Sequence, residues 1–369
     1  MNAVQEVRAD AFVDKYVTPY AAGWESERRM PRELFVQAAA HGLTGLICPL
    51  EAGGQGLGVV ELAEVLRKVA AADMACAFSL VVHNNLAAAI GKSGNDYLKE
   101  SILPGMLTGE KIGAFLLTES QGGSDAAAIK TTAARDGDTY VVNGEKAWVS
   151  NGIYADVLSV YAQTDEGMLA LLIATDTTGI TRTDQYALLG GHALGTSGFI
   201  FDDVRVPSRN VLVEPGNGLK VALAGIDLAR ITVAAMCCGM LDASLKYAID
   251  FARGRQFKGR PITQMQGIQW RLADVVTDLA AASALTSEAA KIFDGDGSPT
   301  LIAAEAKKFA TTVAVRRIAD CMQVMGAPGL SQEHPLARHF ACAKMAEYLD
   351  GTTEIQNLVI SRSLFGQSI

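Results

Sequence analysis

A surplus of positive charge is the first thing this chain lacks. Its 32 Lys and Arg are outnumbered by 40 Asp and Glu, for a formal net charge of −8. No basic face for nucleic acid is expected from that balance. Cysteine is scarce: Cys48, Cys76, Cys237, Cys238, Cys321 and Cys342 show no CxxC spacing, and the adjacent Cys237-Cys238 pair is no ordinary disulfide. A reducing cytoplasm is therefore the expected compartment. The five histidines (His41, His83, His192, His334, His339) lack ligand spacing with cysteines or carboxylates, so no metal site is expected. The first ten residues have neither the basic start nor the apolar run of a signal peptide. No apolar run is expected to reach the ~20 residues of a membrane-spanning helix, because Asp, Glu, Lys or Arg interrupt the Ala/Val/Leu-rich stretches. A soluble protein without membrane contact follows. Internal repeats and low-complexity tails are also missing, which leaves no sign of a separate regulatory module.

What is present is a large apolar fraction, 49% against 20% charged, in 369 residues, enough for two or three packed domains. The texture changes twice. Residues 1–111 read as helical, with apolar positions three and four apart in Glu61–Ala72 and Ser79–Gly91. Pro31 suits a helix start and Pro49 to Gly58 a glycine-rich turn. Residues 112–217 read as β: Asp136-Gly137 and Asn143-Gly144 are hairpin signals, and Met168–Thr175 is a buried strand. In 218–369 helical spacing returns over roughly 219–256, 266–293, 299–325 and 335–349, as a bundle. Two glycine motifs are set aside. Gly53-Gly54-Gln55-Gly56-Leu57-Gly58 lacks the preceding strand of a dinucleotide fingerprint and reads as a loop. Asp294-Gly295-Asp296-Gly297 lacks the later ligands of a calcium loop and reads as an inter-helix turn.

Two segments about twenty residues apart carry the chemistry: Leu117-Thr118-Glu119-Ser120-Gln121-Gly122-Gly123-Ser124-Asp125 and Asn143-Gly144-Glu145-Lys146-Ala147-Trp148-Val149-Ser150-Asn151-Gly152. The first combines short hydroxyls with backbone N–H groups that glycine leaves unhindered. The second offers a flat indole and a small hydroxyl, which suits the edge of a flavin. Further along stand Phe201-Asp202-Asp203-Val204-Arg205-Val206-Pro207, then Arg255-Gln256-Phe257-Lys258-Gly259-Arg260-Pro261-Ile262-Thr263-Gln264-Met265-Gln266. Gln323-Val324-Met325-Gly326-Ala327-Pro328-Gly329 and Asp350-Gly351-Thr352-Thr353-Glu354-Ile355-Gln356 complete the series. In this order, across nearly the whole chain, these blocks resemble the acyl-CoA dehydrogenase family.

The resemblance implies an α+β multidomain fold: an N-terminal α-helical domain, a central β-barrel-like domain and a C-terminal four-helix bundle. Phe201–Pro207 matches the family's strand leaving the β-domain. It implies FAD as cofactor, with Thr118 and Ser124 at the flavin and its phosphates and Trp148 and Ser150 along the isoalloxazine. Arg255 and Gln266 resemble the residues that take the diphosphate and adenosine, an arginine fork suiting a diphosphate. Gln323, Gly326, Thr352 and Glu354 are implied in support. Some of these contacts come from a neighbouring subunit in the family, so a homo-oligomer, dimer or homotetramer, is implied. His83-Asn84-Asn85 lies on a helix that the family places beside the acyl pocket; a satisfied helix-face histidine is the expectation there.

The implied reaction is α,β-dehydrogenation of an acyl thioester, borne by coenzyme A or by an acyl carrier protein, with electrons passing to an electron-transferring flavoprotein. A carboxylate must remove the α proton while hydride leaves the β carbon for flavin N5. Most members place glutamate before the Gly-Thr of the last block; here Asp350 stands there, with Gly351 beside it. Its side chain is shorter by ~1.5 Å, and a misplacement of that order costs about a hundredfold in rate unless the backbone adjusts. A second subset places its base just before the arginine of Asp-x-x-Arg, but here Asp227-Leu228-Ala229-Arg230 has alanine at that position. Arg230, paired in that pattern with Asp227, is implied in holding the thiol-bearing carrier. A plainer role for Asp350 is helix capping, since Asp-Gly-Thr-Thr-Glu readily begins a helix. Two other functions remain open: a flavin oxidase resembling the nitroalkane-oxidising relatives, which use an aspartate base, and a catalytically silent subunit of a mixed tetramer.

Overall fold

The computed structural model describes residues 3–295 and 297–366. Seven α-helices come first among the described residues: α1 (Ala3–Phe12), α2 (Ala21–Glu27), α3 (Glu33–Ala40), α4 (Val59–Ala72), α5 (Met74–Ser93), α6 (Asp96–Ser101) and α7 (Leu103–Leu107). Helix α5 starts sharply because the Asp73 carboxylate accepts from the Cys76 N–H at 2.8 Å. The glycine-rich 53–58 segment is a loop, as read from the sequence, and ends as the N-cap of α4. The carboxylate that holds that end comes from far away. Asp294, the last helical residue before the turn read at 294–297, accepts from the N–H groups of Val59 at 2.7 Å and Val60 at 2.9 Å and so caps a helix 235 residues earlier. Asp296 lies outside the described residues. We expect Asp294→Ala to cost about 1 kcal/mol, read as a lower thermal midpoint by circular dichroism with FAD content unchanged.

The middle of the chain is an eight-stranded sheet: β1 (Gly113–Leu116), β2 (Thr132–Asp136), β3 (Thr139–Val149), β4 (Val157–Thr164), β5 (Gly167–Ala174), β6 (Ile180–Arg182), β7 (Ser197–Pro207) and β8 (Val211–Val213). The strands run in the order β6-β7-β3-β2-β4-β5-β8, and β1 pairs in parallel with β4. Both faces of β4 and β5 are covered. Leu158, Val160, Leu169 and Leu171 join Phe199 and Val204 in an interior cluster, while Tyr161, Met168 and Leu172 pack against Leu86, Ile90 and Met106 of the preceding helices. That double burial explains the unbroken apolar run read as a buried strand.

Two expectations change here. Asp136-Gly137 is the β2–β3 turn, with Gly137 at φ +63°, but Asn143-Gly144 is not a hairpin: it lies inside β3, where pairing with β7 shifts register between Val142 and Gly144. Gly144 has φ +139°, and a Cβ there would stand 2.7 Å from Thr131 Cα, so the glycine serves a bulge and a close approach. Asn143 drops out of the β3–β7 register, and its side chain bridges the bulge by exchanging hydrogen bonds with Asp203 at 2.8 and 2.9 Å. The strand containing Phe201–Pro207 does not leave the domain either. β7 lies between β6 and β3, and β8 returns to β5 before the chain turns helical.

The C-terminal third packs α8 (Gly218–Gly254), α9 (Gln266–Asp294), α10 (Thr300–Met325) and α11 (Leu336–Ala346) around an alanine-rich core, with a short β9–β10 hairpin (Gln256–Phe257, Arg260–Pro261) before α9. A further helix, α12 (Thr353–Leu364), follows the Asp350 turn. The expectation that no segment could match a membrane span is corrected, since Met74–Ser93 and Gly218–Gly254 are long and apolar enough by length and composition. No Asp, Glu, Lys or Arg occurs between Met74 and Gly91. Both are core helices, with most of their apolar windows buried inside the protein. All six cysteines are unpaired and buried.

Candidate active site

The two glycine- and tryptophan-bearing segments meet directly. Ala147 N–H donates to Thr118 C=O at 3.0 Å, fixing the loop after β1 against the end of β3. Beneath this contact lies an ion pair that sequence reading passed over. Lys146 Nζ donates to Glu119 Oε1 at 2.8 Å and to Leu117 C=O at 3.0 Å, and neither side chain exceeds 1% exposure. Glu119 also accepts from the Thr131 hydroxyl at 2.6 Å and from the N–H groups of Lys130 at 2.6 Å and Thr131 at 2.9 Å. Gln121 Nε2 donates to it as well, at 2.6 Å. Burial alone would raise this carboxyl, but the lysine and the surrounding donors outweigh it and hold it down at about 2. The clue was available: Lys146 follows the apolar face of β3, where a solvated lysine has no place.

Above this pair β3 bulges. Its pairing with β7 shifts register between Lys146 and Val149, which turns Trp148 outward at φ +58°. A left-handed conformation is costly for a bulky residue, and strain of this kind gathers at ligand sites. Trp148 is 57% exposed, and the ring beside it among the described residues is Tyr186, at 4.5 Å between centroids. Thr118 and Ser150 are half-buried and Ser124 is exposed on the 120–125 turn. A Cβ on Gly123 would come within 3.1 Å of Thr118 Oγ1, so glycine keeps that hydroxyl open. An uncovered flat ring, free short hydroxyls and an exposed glycine turn fit a planar ligand with a polar edge, as FAD requires.

The second half of the site lies where α8, α10 and α12 converge. Asp350 and Gly351 are consecutive residues at positive φ, +50° and +91°, in the turn between α11 and α12. The capping role considered for Asp350 belongs to Thr352, whose side chain accepts from Ile355 N–H at 3.4 Å. Glu354 lies exposed in the first turn of α12. Burial pushes the Asp350 carboxyl up to about 6, despite the opposing fields of Lys307 and Arg230. Arg230 is buried, its Nη1 donating to Asp227 at 2.8 Å while Nε finds no partner among the described residues. Asp227 in turn accepts from the Thr300 hydroxyl at 2.6 Å. Lys307 was not singled out from the sequence, although it falls on the same helical stripe as buried Ala303, Ala310 and Ala314.

Chain-level comparison decides the family. The N-terminal, middle and C-terminal domain models of acyl-CoA dehydrogenase match residues 3–110, 114–204 and 216–365. This chain belongs to the acyl-CoA dehydrogenase family. It is 34% identical over 361 residues to an acyl-CoA dehydrogenase of Bacillus subtilis, covering 96% of this chain and 95% of the relative. Butyryl-CoA dehydrogenase from Megasphaera elsdenii superposes with TM-score 0.94 at 32% identity, over 99% of both chains. A glutaryl-CoA dehydrogenase from Mycobacterium smegmatis in complex with FADH2 gives TM-score 0.95 at 28% identity, over 100% of this chain and 96% of that one. The protein is thus an FAD-dependent acyl-CoA dehydrogenase-type oxidoreductase acting on CH–CH bonds.

Within this acyl-CoA dehydrogenase the remaining implied residues lie elsewhere on a single chain. Arg255, Gln266, Gln323 and Gly326 are exposed on the C-terminal unit, and no hydrogen bond or ion pair among the described residues joins them to Thr118, Ser124 or Trp148. Exposed Phe257 and Trp270 accompany them. His83 is the satisfied core histidine expected, fully buried with Nε2 at 3.0 Å from Met106 C=O and Nδ1 accepting from Gly113 N–H at 3.3 Å. Asn84 is likewise bonded to backbone, whereas Asn85 keeps a buried Oδ1 with no partner among the described residues. No group of three or more His, Cys, Asp or Glu that could hold a metal occurs among the described residues.

Proposed function

We propose that this chain introduces an α,β double bond into an acyl-CoA, with Asp350 as the base that removes the α proton. The supporting observation is the setting of that carboxylate, held half-buried in a left-handed turn near the buried cations Arg230 and Lys307, where desolvation lifts its proton affinity to about 6. A base poised near neutrality gives up its proton readily between turnovers yet still competes for a weakly acidic one. FAD, when bound, supplies the acceptor for the hydride leaving the β carbon. Trp148 and Ser150 would lie along the flavin ring, and Thr118 and Ser124 would contact the flavin and its phosphates. Arg230, oriented by Asp227, together with the Gly351 backbone lines the thioester side of Asp350.

Arg255, Gln266, Gln323 and Gly326, supported by Thr352 and Glu354, would take the diphosphate and adenosine of FAD across a contact between copies. Their exposure beside Phe257 and Trp270 supports a homo-oligomer, dimer or tetramer, in which an uncovered arginine and uncovered aromatics find partners. The same reading places domain divisions at 111/112 and 217/218 and passes electrons to an electron-transferring flavoprotein. The test is anaerobic bleaching of the oxidised flavin by a panel of acyl-CoA and acyl-carrier thioesters. We expect bleaching by at least one acyl-CoA, with oxygen consumption slow until a dye acceptor is added. Rapid oxygen uptake without the dye would make the protein an oxidase. Failure of the purified chain to hold stoichiometric FAD or to bleach with any thioester would make it a silent subunit.

A further inference from the structure

Lys307 is a buried cation with no ion-pair partner among the described residues. Its ammonium donates to the carbonyl of Glu347 at 3.3 Å and to the carbonyl of Gly351, from the N-terminal third of α10. Those carbonyls lie at the two ends of the turn that carries Asp350. We propose that Lys307 is a positioning residue for the base: it clamps this turn at both ends and sets a positive charge beside the Asp350 carboxylate. The proposal rests on Asp350 being the base, and it assigns the job of placing an unusually short one.

A turn with two successive left-handed residues, one of them not glycine, needs outside restraint because that backbone conformation is strained. Gln356 supplies a second hold on the Gly351 carbonyl, at 2.9 Å, but it carries no charge. The charged and titratable groups around the turn are few. Arg230, paired with Asp227, and Cys237 face it from α8, Lys307 from α10, Lys344, paired with Glu347, from the end of α11, and exposed Glu354 from α12. The hydrogen bond between Arg230 and Asp227 offsets much of the arginine's charge, which leaves Lys307 as the uncompensated cation. Burial, opposed by Asp350 and Cys237, brings the Lys307 ammonium down to about 8. Between about 6 and about 8 the carboxylate and the ammonium are therefore both charged.

The experiment compares wild type with Lys307→Met, Lys307→Gln and Lys307→Arg, all as FAD-loaded protein of verified content and helical circular dichroism. The direct readout needs no turnover: the infrared carboxyl band of Asp350, identified as the band missing in Asp350→Asn, is titrated without substrate. We expect its midpoint to rise by about one pH unit or more in Lys307→Met and Lys307→Gln, and to stay within a few tenths in Lys307→Arg. The acid limb of anaerobic bleaching should move by the same amount. A midpoint that stays at the wild-type value in Lys307→Gln overturns the proposal, and that variant decides the matter if Lys307→Met does not fold. Undiminished bleaching by Asp350→Asn would instead remove the base assignment, while the infrared shift would still report whether Lys307 acts on Asp350.

Discussion

Asp350→Asn should leave a folded, yellow protein whose flavin is no longer bleached by thioesters, a loss of about 10²- to 10⁴-fold in the rate of reduction. The amide keeps the size of the side chain but cannot accept the α proton. In the unaltered protein the same group sets the pH response. A base works only when ionised, so the reduction rate should fall as pH drops below about 6, where burial has placed this carboxyl. Its sign for stability is opposite to its sign for activity. A carboxyl raised in the folded state binds protons more tightly folded than unfolded, so it costs stability as pH rises from its ordinary value of 3.8 through about 6. Asp350→Asn should therefore melt at a higher temperature than wild type at pH 7. Stopped-flow reduction and thermal melts check the two halves of this prediction, and undiminished reduction would remove Asp350 from the chemistry.

The other large effect is structural. Lys146→Met should destabilise the central sheet by about 3–5 kcal/mol, because it leaves Glu119 as an unpaired charge at 1% exposure. The loops after β1 and at the end of β3 share that pair, so FAD content should fall together with the urea midpoint. The pH dependence runs opposite to that of Asp350. Glu119 is held down at about 2 against an ordinary 4.5, so its contribution is fully present above about 4.5 and disappears as pH falls towards about 2. Glu119→Gln should flatten the acid-unfolding curve across that window, measured by circular dichroism. An acid transition as steep as that of wild type would assign acid sensitivity to other carboxyls.

Much of this was legible in the chain because it depends on short-range rules. Helical periodicity marked α8 to α11 within a few residues, since a 3.6-residue stripe of alanine and leucine has to face a core. That the Thr118–Ser124 and Trp148–Ser150 segments stand out was readable because a glycine turn with short hydroxyls, and an indole two residues before a serine, are local patterns; that the two meet was shown by the fold. Asn143-Gly144 misled for the same reason. A dipeptide that permits positive φ serves a bulge as well as a turn, and only the register of β3 against β7 and the nearness of Thr131 distinguish them. The membrane criterion failed on similar grounds, because a fully buried helix and a spanning one share a composition.

The sequence by itself determined the helix–sheet–helix order, the family and the position of the carboxylate. Those follow from periodicity and from motifs whose residues are neighbours in the chain. Only the tertiary structure decided what surrounds each charge. It buried Lys146 against Glu119, 27 residues away, and carried Lys307 to the turn of Asp350, 44 residues from Gly351. It also set Arg230 against Asp227 with one nitrogen unpartnered. Charge energies depend on distance through a poorly polarisable interior and on which water is excluded, and neither is written in residue order.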